Sequence, residues 1–112
     1  MQNTQKYIQE SKDKFLQELI DLLKIPTVSA DSAYAKEVIR GAEKVAEFLR
    51  AAGAEQVEIC PTAGHPIVYG EKIIDPTLPT VLVYGHYDVQ PADPIELWTS
   101  PPFEPVDRKS VV

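Results

Sequence analysis

Prolines are distributed unevenly along this 112-residue chain, and their positions restrict where helices can form. None of the ten prolines occurs before Pro26, whereas five fall between Pro91 and Pro105. Proline lacks a backbone N–H and breaks the interior of a helix. The chain is therefore predicted to begin with helices and to end in loops or an irregular covering segment.

Apolar residues at helical spacing predict a first helix over residues 3–23. The i, i+4, i+7, i+8 pattern is formed by Phe15, Leu19, Leu22 and Leu23. The opposite face is polar, which makes the predicted helix amphipathic. Since the residue before a proline avoids the helical region, Pro26 is expected to stop the helix.

A second helix is predicted to begin at Asp31 or Ser32, either of which suits an N-cap, and to end before Gly53. Its predicted buried stripe comprises Tyr34, Val38, Ala42, Val45, Leu49 and Ala52. Gly41 lies in the middle of this helix, where glycine costs up to about 1 kcal/mol relative to alanine. We interpret Gly41 as a position of close packing against another element.

Three strands are predicted after the helices. Gln56–Cys60 alternates apolar and polar residues, and Ile67–Tyr69 follows after a turn, which predicts a hairpin. Thr80–Tyr84 is apolar after its first residue and is predicted to be a strand buried on both faces. Two N-terminal helices, a hairpin and a buried strand indicate the α/β class, in an arrangement that opens a domain without completing it.

Composition excludes several kinds of partner. The formal net charge of −6 argues against binding to nucleic acid or to an anionic membrane surface. No apolar run is long enough to span a membrane, and the N-terminus does not resemble a signal peptide. Cys60 is the single cysteine and is interpreted as a small buried apolar residue, so a cytoplasmic location is expected.

The sequence Gly-His-Tyr-Asp follows the predicted buried strand at residues 85–88. In an extended chain, residues i and i+2 point to the same face, so His86 and Asp88 are predicted to lie side by side while Tyr87 points away. A carboxylate commonly accepts the second N–H of a metal-binding imidazole. The arrangement therefore suits His86 as a metal ligand and Asp88 as the catalytic-site acid that orients it. His-x-Asp also occurs often by chance, and these residues alone favour a surface histidine that is paired with a nearby acid.

Three segments together resemble one family of enzymes. They are Leu22–Ser29, Val81–Pro91 and Leu97–Pro105, and they occur in the order that the family shows. The family is that of the zinc aminopeptidase fold, which includes carnosinase-like dipeptidases, aminoacylases, glutamate carboxypeptidases and succinyl-diaminopimelate desuccinylase. The segment Gly-His-Tyr-Asp-Val-Gln-Pro at residues 85–91 is most similar to the dipeptidase branch.

The resemblance implies that residues 1–106 form the N-terminal part of a three-layer metallopeptidase domain. It implies that His86 is the first zinc ligand and that Asp88 clamps the imidazole. Trp98, Pro102 and Phe103 match a loop that the family packs near the active-site wall, and we interpret them as structural residues, with Trp98 as a loop anchor. Two zinc ions, with cobalt or manganese as alternatives, would activate water to hydrolyse a dipeptide or a small N-acyl amino acid. The intact parent is expected to be cytoplasmic, and the resemblance allows it to be a homodimer.

The resemblance ends at Val106. Family members are several times longer, and their other metal ligands and glutamate general base have no match in this sequence. Residues 107–112 read Asp-Arg-Lys-Ser-Val-Val, where the family continues with an Asp-Gly turn. We interpret these six residues as a non-native tail, because codons of a common sequencing adapter would encode them followed by a stop. The chain by itself is expected to be inactive.

Two alternatives to a dipeptidase remain open at this point. The His-x-Asp framework does not determine the substrate, so an aminoacylase or another amide hydrolase is the second hypothesis. A complete, non-catalytic binding module is the third. Nothing in the sequence completes the sheet that the predicted buried strand requires, which argues against a module.

Overall fold

A computed structural model describes residues 2–108 of the chain, which divides into two compact units. One unit is residues 26–91, and the other comprises the residues up to 25 together with those from 92 onward. The regular elements are helices α1 (Gln2–Glu10), α2 (Lys12–Leu23) and α3 (Ala35–Ala51) and strands β1 (Glu55–Cys60) and β2 (Ile67–Glu71). The class is α/β, as predicted. In the predicted tail, residues 109–112 lie outside the described residues.

The predicted helix over residues 3–23 is divided into α1 and α2 at Ser11. Backbone hydrogen bonds continue on both sides, from Ser11 N–H to the Tyr7 carbonyl and from Phe15 N–H to the Ser11 carbonyl. Serine favours turns over helix interiors, which accounts for the interruption. The apolar stripe of α2 is only partly covered, since none of its residues is buried. Lys24 caps α2 just before Ile25 and Pro26, where the helix was predicted to stop.

Helix α3 confirms most of the second prediction. Asp31 caps a short 3-10 turn that leads into α3, and its carboxylate accepts a hydrogen bond from the Ala33 N–H at 2.9 Å. Gly53 follows the helix with a φ of +90°, a conformation that glycine adopts without strain. The buried residues of α3 are Val38, Gly41, Ala42 and Ala46. Ala52, which was predicted in the stripe, is exposed beyond the end of the helix.

Strands β1 and β2 form the predicted hairpin. They are antiparallel, with Ile59 opposite Val68 and Cys60 opposite Ile67. The register shifts between Glu55 and Glu58, where the backbone bulges. Helix α3 packs against both strands and covers one face of the hairpin. Cys60, predicted to be buried, is half-buried.

The predicted buried strand at Thr80–Tyr84 is wrong. This segment has no regular structure, and the side chains of residues 81–84 are 83% to 91% exposed. A strand that is buried on both faces needs a sheet to join and a packed layer on each face of that sheet. Within residues 2–108 the sheet has only β1 and β2, which pair with each other. The apolar run has no sheet to join there and therefore remains exposed.

The core of the unit formed by residues 26–91 lies where α3 meets the segment that follows Pro26. Thr27 and Val28 are each 2% exposed, and Val38 is 1% exposed. Gly41 is the point of closest approach, because a Cβ added there would lie 2.4 Å from the Thr27 Cγ2 and 3.3 Å from the Tyr87 Cδ2. This confirms the predicted close packing at Gly41.

The C-terminal loops contain an internal anchor at Trp98. Its indole Nε1–H donates a hydrogen bond to the Ala92 carbonyl at 2.8 Å, which closes the loop around the 3-10 turn at Ile95–Leu97. The Trp98 ring is half exposed. In the part of the chain that the structure describes, no helix has the length and apolarity that crossing a bilayer requires.

Replacement of Gly41 by alanine tests the contact between α3 and Thr27. The added Cβ collides with a side chain that is itself buried and hydrogen-bonded. Overpacking typically costs about 1 to 3 kcal/mol and alanine restores up to about 1 kcal/mol of helix propensity, so we expect a net loss of about 1 kcal/mol, the middle of the resulting range. Urea unfolding measures this loss. Gly64→Ala is the control, because its nearest atom is 3.9 Å away; equal stability of the two variants would contradict the packing described.

Candidate metal centre

His86 and Asp88 lie side by side at the end of the exposed segment, as their spacing predicts. The His86 Nδ1 is 2.9 Å from the Asp88 Oδ1 and 3.1 Å from the backbone carbonyl oxygen of Asp88. The side chains are 74% exposed for His86 and 41% exposed for Asp88. The imidazole is therefore held by its own loop and remains open to solvent.

These two contacts determine which ring nitrogen of His86 carries the proton. A carboxylate and a backbone carbonyl only accept hydrogen bonds, so the Nδ1 must be the donor. In the neutral ring the proton on Nδ1 leaves the lone pair on Nε2. His86 thus presents an exposed nitrogen that is free to coordinate a cation.

The other oxygen of the Asp88 carboxylate is held by Ser29. The Ser29 hydroxyl donates a hydrogen bond to Oδ2 at 2.5 Å, across 59 positions of sequence. The Ser29 hydrogen bond is the largest influence that lowers the pKa of Asp88 below its ordinary value, with further lowering by His86 and partial opposition from burial. Asp88 is therefore ionised at neutral pH and keeps its role as an acceptor. In the sequence analysis, Ser29 appears only as the last residue of the segment Leu22–Ser29, without a role of its own.

Backbone pairing brings Ser29 to this position. Val28 and Val89 form a parallel bridge, and the Val89 N–H donates to the Thr27 carbonyl at 3.0 Å. The Thr27 hydroxyl donates to the Tyr87 carbonyl at 2.7 Å. The side chains of Thr27 and Ser29 therefore face residues 87 and 88, and this pairing was not predicted from the sequence.

Tyr87 and His65 attach the same region to the turn before β2. The Tyr87 side chain points away from His86, as predicted, and its hydroxyl donates to the Pro66 carbonyl at 2.5 Å. Desolvation by burial, followed by the Asp88 charge, raises the pKa of Tyr87, which keeps the hydroxyl protonated as a donor. The His65 Nε2–H donates to the Ser29 carbonyl at 2.8 Å. His65, interpreted from sequence as a solvated turn residue, is exposed but also forms this hydrogen bond to Ser29.

The described residues do not make up a complete metal site. Among residues 2–108, no three histidine, cysteine, aspartate or glutamate side chains are grouped so that they could hold a metal ion. A catalytic zinc ion in a protein has about three protein ligands and a water. His86 can supply one of these ligands, and Asp88 is already occupied by His86 and Ser29.

Comparison with known proteins gives consistent results. The chain is 34% identical over 108 residues to the Cys-Gly metallodipeptidase DUG1 of Candida albicans, and 37% identical over 112 residues to that of Schizosaccharomyces pombe. These matches cover 86% and 91% of the chain. The human Beta-Ala-His dipeptidase is 32% identical over 109 residues. No family model matches.

A solved structure supports the same relationship. The di-peptidase Dug1p of Saccharomyces cerevisiae superposes with a TM-score of 0.80 and 31% sequence identity over 88% of the chain. The chain is homologous to part of the metallodipeptidases. It spans 22% to 24% of the length of these metallodipeptidases.

The relationship to metallodipeptidases confirms the resemblance found in the motifs. All four proteins are dipeptidases by name, which favours the dipeptidase prediction over an aminoacylase and over a binding module. The word metallodipeptidase in the names of the yeast relatives implies that those proteins use a metal cofactor. The roles predicted for His86 and Asp88, and the identity of the metal as zinc, stay predictions.

Replacement of Tyr87 by phenylalanine tests how the residue between His86 and Asp88 is anchored. The variant loses the hydrogen bond to the Pro66 carbonyl in a partly buried setting. We expect a loss of about 1 kcal/mol in the free energy of unfolding, the usual net value of one such bond. Tyr69→Phe is the matched control, because the Tyr69 hydroxyl bonds Glu71 at the exposed surface; its loss should be close to zero. A Tyr87→Phe variant as stable as the control would show that this anchor contributes nothing.

Proposed function

We propose that this chain forms part of the catalytic domain of a zinc-dependent dipeptidase, in which His86 is a metal ligand and Asp88 is the acid that orients it. One observation carries the proposal: the Nδ1 of His86 faces two acceptors, which leaves the exposed Nε2 available for a metal ion. The relatives named as metallodipeptidases supply the enzyme class.

The donor chemistry suits zinc. Zn²⁺ accepts neutral imidazole nitrogen, and its histidine ligands usually give their second N–H to a carboxylate or a carbonyl. The His86 Nδ1–H is hydrogen-bonded to the carboxylate and to the backbone carbonyl of Asp88. Since a catalytic zinc site needs about three protein ligands, His86 contributes one member of a set that residues 2–108 do not complete by themselves. Cobalt and manganese remain the alternative metals.

A pair of bound zinc ions would polarise the peptide carbonyl of a dipeptide and activate a water for hydrolysis. The described residues of this chain would orient the His86 imidazole toward the metal. Asp88 holds the proton on Nδ1, restricts rotation of the ring and makes Nε2 more basic. Gly85 leaves open space before His86, since no atom lies within 4 Å of a Cβ added there.

The same proposal includes the bounds of the domain, the substrate class and the cellular location. We assign residues 1–106 to the catalytic domain and residues 107–112 to a non-native tail. Small dipeptides are the proposed substrates, because the relatives are named for Cys-Gly and Beta-Ala-His. A cytoplasmic location, a homodimeric parent and the absence of nucleic-acid or membrane partners stay predictions.

A chimera tests the proposed function. Residues 1–106 replace the homologous segment of the Saccharomyces cerevisiae metallodipeptidase, and hydrolysis of Cys-Gly is measured with zinc. We expect His86→Ala to abolish activity and Asp88→Asn to lower it about 10- to 100-fold, the usual effect of removing a group that orients a metal ligand. Asp75→Asn is the control, because Asp75 is exposed and the amide oxygen still accepts from the Thr77 N–H.

The result for His86 decides the test. Loss of zinc and of activity in His86→Ala, with both retained in Asp75→Asn, supports the proposal. A folded His86→Ala chimera that keeps its zinc and its activity would contradict it, and the metal assignment of this loop would be abandoned.

A further inference from the structure

Ser29 is hydrogen-bonded to Asp88, the group that orients His86. The Asp88 carboxylate is shared between two donors, with Oδ1 accepting from the His86 Nδ1 and Oδ2 accepting from the Ser29 hydroxyl at 2.5 Å. A carboxylate that is bonded at one oxygen can still rotate about its Cβ–Cγ bond. Bonding at both oxygens leaves it one orientation, in which Oδ1 faces the imidazole.

The support for His86 comes from one side only. Residues 81–84, which precede the loop, are 83% to 91% exposed, and Gly85 has open space around it. The His86 side chain is itself 74% exposed, so surrounding side chains do little to hold the ring. The ring is restrained through Asp88, and the Asp88 carboxylate is restrained through Ser29.

Ser29 is itself fixed at the backbone. The Val28–Val89 bridge lies immediately before it, and the His65 Nε2–H donates to the Ser29 carbonyl at 2.8 Å. The neighbouring Thr27 and Val28 are each 2% exposed. The hydroxyl of Ser29 therefore projects from a rigid segment toward an exposed loop, which suits a group that sets the geometry of another residue.

We propose that Ser29 is a positioning residue, whose hydroxyl holds the Asp88 carboxylate so that His86 keeps its proton on Nδ1 and directs Nε2 outward for metal binding. The role in metal binding rests on the proposed function. The effect of Ser29 on the imidazole tautomer does not depend on the proposed function, because the Ser29–Asp88 hydrogen bond is present in the metal-free chain.

NMR of the full chain labelled with ¹⁵N-histidine tests the proposal without metal. Long-range ¹H–¹⁵N correlations above the titration range of imidazole report which nitrogen of each histidine is protonated. In the unmodified chain His86 is expected as the Nδ1–H tautomer. Ser29→Ala is expected to lower the ratio of Nδ1–H to Nε2–H several-fold, while Ser29→Thr, which keeps the hydroxyl, restores it. His65 is the internal reference, because it bonds the Ser29 carbonyl, which all three chains retain.

The amide spectrum of helix α3 reports whether each variant is folded. A folded Ser29→Ala chain in which His86 keeps the tautomer ratio of the unmodified chain would overturn the proposal. A change of general structure would alter Ser29→Ala and Ser29→Thr alike, so failure of threonine to restore the ratio would overturn it as well.

Zinc affinity of the chimera separates this inference from the proposed function, because residues 2–108 do not complete a metal site by themselves. Zinc affinity that is lost in His86→Ala, weakened in Ser29→Ala and restored in Ser29→Thr supports both proposals. A tautomer change in the Ser29→Ala chain, together with a folded His86→Ala chimera that keeps its zinc, supports the positioning role of Ser29 and contradicts the metal-ligand role of His86.

Discussion

The pairing of residues 27–29 with residues 87–89 is the interaction on which the candidate metal centre depends. It consists of the parallel bridge between Val28 and Val89 and the hydrogen bond from the Thr27 hydroxyl to the Tyr87 carbonyl. The pairing brings together residues that are about 60 positions apart in the chain. It is buried on the side of α3, where Gly41 leaves room for the Thr27 methyl group. The exposed side carries the Ser29, Asp88 and His86 contacts.

One part of the site is held by packing and hydrogen bonds, whereas the His86 imidazole is held by hydrogen bonds alone. Helix α3 and the turn before β2 hold the 27–29 segment and Tyr87 by packing and hydrogen bonds. His86 lies beyond that support, and only polar contacts orient its ring. Hydrogen bonds to a carboxylate are directional and stronger than those between neutral groups, so they can hold an exposed imidazole where apolar packing cannot.

Local features of the sequence predicted much of the fold. The helix-ending role of Gly53 and the hairpin depend on neighbouring residues or on backbone conformation, which the pattern of residue types reveals. Close packing at Gly41 was inferred from the cost of glycine inside a helix, whereas its partners Thr27 and Tyr87 are distant in the chain. The side-by-side placement of His86 and Asp88 followed from their spacing in the same way. The predicted burial of residues 80–84 was wrong, because burial depends on a sheet and on packed layers over both of its faces, which no local pattern encodes. The bond between Ser29 and Asp88 was missed for a related reason, since it depends on tertiary pairing.

Amide hydrogen exchange at Val89 tests most directly whether the 27–29 and 87–89 segments are paired. The Val89 N–H donates to the Thr27 carbonyl, whereas the preceding residues 81–85 are exposed and have no regular structure. We predict that the Val89 amide exchanges slowly, at rates like those of the buried part of α3, while the amides of residues 81–85 exchange rapidly. Exchange at Val89 as fast as at residues 81–85 would show that the pairing does not persist in solution and would contradict this account of the site.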